Sequence, residues 1–186
     1  MRIQSMIRNF SLAVLALALA SGTSIGFAQT ADSEQISNLL KQAKSHAVLA
    51  EHDAATLESY TRSKVSWELH GRQLSRIKEH VNELGQLNKQ LSDLRAEGSP
   101  WQQVAIDQID RRLREMANLL TATINQLNHN PSQVHMQAYR DYVKANCELT
   151  SRIAKMIDDF VDYDEAKSKA ESLEQKLELP TIAGNK

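Results

Sequence analysis

A chain of 186 residues with 22 basic and 23 acidic side chains has a formal net charge of −1. That balance, with no basic block longer than the cluster Arg111, Arg112 and Arg114, excludes nucleic acid as an expected partner. The single cysteine, Cys147, excludes an intramolecular disulfide and covalently attached haem.

The chain opens with the layout of a secretory signal. Arg2 and Arg8 form a basic stretch, residues 10–20 (FSLAVLALALA) an apolar run, and residues 21–28 (SGTSIGFA) a small-residue cleavage region. Cleavage is expected after Ala28, with an uncleaved anchor as the alternative. Eleven apolar residues are short for a span, which needs about 20. Removing 28 residues from 186 leaves 158 and takes the basic count from 22 to 20, so the net charge becomes −3. The product is expected outside the cytoplasm, in a periplasm or beyond the cell, with no stable membrane span after cleavage.

Residues 29–32 read as a short linker, and 33–179 as a helical bundle. Apolar residues recur at spacings of three and four throughout, with no strand alternation. The first seam is Ile36, Leu40, Ala43, Ala47, Ala50, Ala54 and Leu57. The second is Trp67, His70, Leu74, Ile77, Val81, Leu84, Asn88 and Leu91. The third is Ile106, Ile109, Leu113, Met116, Leu120, Thr123 and Leu127. The fourth is Tyr142, Asn146, Leu149, Ile153, Met156, Phe160 and Tyr163. The fold class is therefore all-α: an antiparallel four-helix bundle with coiled-coil-like seams and an extended C-terminal helix.

The turns differ in how plainly they are written. Between the first two helices there is no Gly or Pro, only a break in spacing near residues 61–66, with Ser63 and Ser66 as possible caps. A hairpin there gives helices of roughly 30, 32, 29 and 46 residues, three of them about 45 Å long. The alternative is a three-helix coiled coil whose first helix runs on unbroken. The second turn, GSPWQ, is explicit. Gly98 is expected in the left-handed conformation, with Ser99 and Gln102 as a capping box and Pro100 at the first helical position. Trp101 then lids the end of the core. In the third turn, LNHNPSQ, Asn130 or Ser132 is the expected cap and Pro131 stops the preceding helix. Gly71 and Gly85 are expected to let the first two helices approach closely, facing Ala55 and Lys41. Residues 180–186 read as a disordered tail.

Chemistry is sparse. There is no H-E-x-x-H, no paired Glu-x-x-His for a di-metal centre, no phosphate loop and no dinucleotide fingerprint. Met116 and Met156 read as core filler rather than haem ligands. The one metal candidate is His70, His129 and His135, which fall near one end of the bundle. Asn88 and Asn146 read as seam residues that fix register. Glu79/Glu83 and Asp158/Asp162 are carboxylate pairs on a solvated face, and Cys147 is a half-buried, inert thiol. No catalytic residue and no cofactor are expected.

Taken with the signal, the stretches ESYTRSKVSWELHGRQLSRIKEHVNELG, GSPWQQVAIDQID and AYRDYVKAN resemble a group of short, exported, uncharacterised bacterial all-helical proteins. The resemblance implies a helical fold and an exported location, and carries no site residue. The expected function is a non-enzymatic binding, scaffold or self-assembling protein of the cell envelope. The charged overhang at 163–179 is the expected surface for a protein partner or a second copy. A small-ligand or metal-binding bundle is the alternative.

Overall fold

The structure is a computed structural model that describes residues 31–178; the signal and the tail of the sequence reading lie outside the described residues. Four helices run in alternating directions: α1 Glu34–Tyr60, α2 Trp67–Asp93, α3 Pro100–His129 and α4 Gln137–Lys176. They form an antiparallel four-helix bundle in which α1 and α3 each lie between α2 and α4. No described helix is long and apolar enough to cross a membrane.

The first turn resolves the choice between four helices and three. Helix α1 stops at Tyr60 without Gly or Pro. The amides of Thr61, Arg62 and Ser63 bond back three residues, to Glu58, Ser59 and Tyr60, at 3.1, 3.1 and 3.2 Å. The last turn thus tightens, as helix ends do when no glycine closes them. Ser66 then takes the extended cap conformation before α2.

The seam of α1 is buried from Ile36 to Leu57 with four alanines at its centre. Small side chains let backbones approach, so α1 lies closer against α2 and α4 than α3 does. The glycines of α2 have no share in this. A Cβ on Gly71 would face Leu127 of α3 at 3.8 Å, and one on Gly85 would meet nothing within 4 Å. The expected contacts with Ala55 and Lys41 are therefore replaced by a face that looks toward α3.

Two caps also differ from expectation. Gly98 has φ −77° and ψ 148°, an extended conformation open to any residue. Space is tight there: a Cβ would lie 2.9 Å from Ile36 Cδ1 and 3.2 Å from Gln102 Cβ, so a larger residue must shift the Ile36 side chain. Asn130 closes α3, Pro131 opens a short 3₁₀ turn, and the cap position of α4 falls to Met136, which makes no side-chain cap bond.

Candidate functional site

The fourth seam is where sequence and structure part. Its buried line runs through Val143, Asn146, Leu149, Ile153, Ile157, Val161 and Asp164. Met156, Phe160 and Tyr163 stand one position off that line. A straight helix drifts about 20° per heptad against a strict seven-residue repeat, so a pattern followed from Asn146 slides off the core face. Trp67 likewise leaves the second seam, at 47% exposed.

The displaced residues form a surface feature. Met156, Phe160 and Tyr163 of α4 and Trp101 of α3 line an open groove of about 550 Å³, with Gln108, Arg152, Lys155 and Asp159 at its rim. Tyr163 packs edge-on to Trp101 with ring centroids 5.2 Å apart. Lys155 donates to Asp159 at 3.0 Å within α4. Arg152 has no ion pair within the chain among the described residues.

The groove's end wall is held from three directions. Trp101 Nε1 donates to Asp32 Oδ1 at 2.8 Å, and Lys167 of α4 pairs with the other Asp32 oxygen. Burial works to raise the Asp32 carboxyl, but Lys167, then Ser99 and Trp101 beside it, outweigh that and hold it below the usual carboxylate range. Gln102, fully buried beneath, accepts from the amides of Ser33 at 2.9 Å and Ser99 at 3.1 Å, and donates to Ser33 O at 2.9 Å. The phrase SPWQ therefore does two jobs. Gln102 ties the start of α1 to α3, and Trp101 presents a fixed ring to the groove. The indole both closes the bundle and lines a surface.

The three candidate histidines are placed differently. His70 is 0% exposed, and its Nδ1 shares a 3.1 Å hydrogen bond with the Tyr139 hydroxyl. Its Nε2 has no partner. Burial, and then the nearby His135, push His70 down to about 4. His129 is the last residue of α3 and bonds Asn125 O of its own helix at 2.7 Å. His135 is exposed in the turn before α4. Among the described residues no three His, Cys, Asp or Glu side chains are placed to hold one metal ion.

A polar set that the sequence reading missed lies between α1 and α2. The buried Asp53 accepts from Gln73 at both its carbonyl, 2.9 Å, and its carboxylate, 2.8 Å. His80 Nε2 stands 3.5 Å from the other carboxylate oxygen, with the His46 ring 5.8 Å from the His80 ring. The spacing of Asp53 against the Ala seam was the available signal. Asn146 donates to Thr123 and to Tyr142 O, while Asn88 donates to Asp110. Asp158 and Asp162 both pair with Lys44 of α1. Burial first, then Glu58 beside it, push the Cys147 thiol up to about 11, which keeps it protonated at neutral pH.

No family model, curated protein or solved structure matches this chain.

Proposed function

We propose that the chain is an exported, non-enzymatic binding or scaffold protein of the bacterial cell envelope, and that it works through the α3/α4 groove. One observation carries this reading. The chain has nine Trp, Tyr and Phe residues, of which Phe10 and Phe27 precede the bundle; three of the other seven line this one groove. Aromatic side chains on a pre-held wall are the usual anchors of protein interfaces, because they bury much area at little cost in conformational freedom. The groove's polar groups are Gln108, Arg152 and the paired Lys155 and Asp159, with no nucleophile set beside a base.

Site-specific photocrosslinking in the envelope tests this directly. A photoreactive residue at Gln108 is expected to trap a partner, while one at Val48 on the outer face of α1 is not. Equal trapping at both positions, or none at Gln108, defeats the groove reading. Export has its own test: mass spectrometry of the envelope form is expected to find Gln29 at the amino terminus, and a membrane-held chain beginning at Met1 contradicts it.

A second reading, a bundle that stores a small apolar ligand, is favoured by the groove's volume. About 550 Å³ lies within the range of roughly 300–1,000 Å³ typical of small-molecule sites. Native mass spectrometry of the purified protein separates the two, since a stored ligand travels with it at one per chain. The metal-binding version has no such support.

A further inference from the structure

We propose that the occupant of the α3/α4 groove is the projecting end of α4 from a second copy of this chain, docked antiparallel and reciprocally. This rests on the groove reading above and names the partner.

Asp164 is the last fully buried residue of α4, and Lys167, held by Asp32, lies just beyond it, yet the helix continues to Lys176. The projecting part keeps an apolar line of Ala166, Ala170, Leu173 and Leu177, and the two leucines are 47% and 61% exposed. A single helix of this length is marginal in water without a partner. These four positions stand fourteen residues beyond Arg152, Met156, Asp159 and Tyr163, which line the groove and its rim. Two heptads turn a straight helix by only about 40°. The exposed line thus continues the rim side of the groove-lining stripe of α4 past the end of its own bundle.

Two copies related by a two-fold axis between Asp164 and Glu165 bring the two parts together. Each groove stretch, 152–163, then lies against the other copy's 166–177, twelve residues against twelve, about 17 Å of helix. Bulk meets space in this register: Tyr163 lies opposite Ala166, and Phe160 beside Ala170. Met156 lies opposite Leu173. Charge agrees as well. Lys155 faces Glu174 of the second copy, and Asp159 lies beside its Lys169. The arrangement closes on itself as a dimer, with the same patch used twice and the two bundle bodies pointing away from each other.

Sedimentation of the purified exported protein, from low micromolar to hundreds of micromolar, is the test. A reversible dimer is expected, with its dissociation constant in the micromolar range. Leu173→Asp combined with Leu177→Asp lies outside the bundle, so helicity and unfolding should be unchanged while dimerisation weakens by at least about a hundredfold. Lys155→Glu and Glu174→Lys are each expected to weaken the dimer several-fold, and together to restore it. A protein that stays monomeric, a dimer indifferent to the leucine changes, or a charge pair without rescue each overturns the proposal. A monomer that still traps another protein through Gln108 leaves the groove reading standing and removes only self-docking.

Discussion

Lowering the pH from 7 to 5 should destabilise this bundle through His70 well before its carboxylates protonate. The ring is fully buried in the first turn of α2, beneath Tyr60 and against Tyr139, and Nε2 has no partner. Its folded value is about 4 against 6.5 in an open chain, through burial first and then the charge of His135. Between those values the unfolded chain holds a proton that the folded chain refuses. Stability is therefore whole above pH 6.5, falls as the pH drops toward 4, and falls no further through this group below that. One unit of difference is worth about 1.4 kcal/mol, so the loss is about 2 kcal/mol at pH 5 and about 3 kcal/mol at pH 4. Urea unfolding followed by helical circular dichroism, at half-unit steps of pH, measures it. The control is His70→Leu, which removes the titrating group and leaves every carboxylate in place. The difference between the two profiles should open by about 2 kcal/mol between pH 7 and pH 5. Parallel profiles would refute the reasoning, because His70 would then titrate as it does in the unfolded chain.

Other substitutions probe the same frame. Gly85→Ala should raise stability by about 1 kcal/mol in urea unfolding, since its Cβ meets nothing and a helix-interior glycine is relieved. Met136→Asp should stabilise by about 1 kcal/mol, because Met136 holds the cap conformation of α4, is 59% exposed and caps nothing. Ser99→Ala should cost about 1 kcal/mol, since Ser99 and Gln102 form the capping box that opens α3. Gln102→Ala should cost about 3 kcal/mol by the same assay, since it strands the amides of Ser33 and Ser99 and the carbonyl of Ser33.

The all-α class, the second and third turns and the alanine seam were legible because each rests on local chemistry, whereas the first turn, without Gly or Pro, left four helices and three both open. Pro100 and Pro131 mark their own positions, and the Ala seam of α1 is buried as written. What failed was everything decided by angle rather than by residue type. A hydrophobic count cannot tell Ile157 and Val161, which are buried, from Met156 and Phe160, which flank the groove. Both lines are apolar, and they differ by one position around the helix. The glycines of α2 misled for a related reason. Gly85 lies on the side of α2 that meets α3, and which neighbour a flank meets is a tertiary fact. The burial of Asp53, beside Ala54 of the alanine seam, is likewise a tertiary fact, set by Gln73 of α2 bonding it twice.

Methionine methyl resonances report directly on the proposed contact surface, the α3/α4 groove. The bundle has three: Met156 in the groove, Met116 in the core, and Met136 exposed at the opposite end. On concentrating the labelled protein, the Met156 methyl should shift and broaden while Met116 and Met136 hold still, and the shift should vanish in the Leu173→Asp, Leu177→Asp protein. Movement of Met136 with Met156 silent would contradict the account.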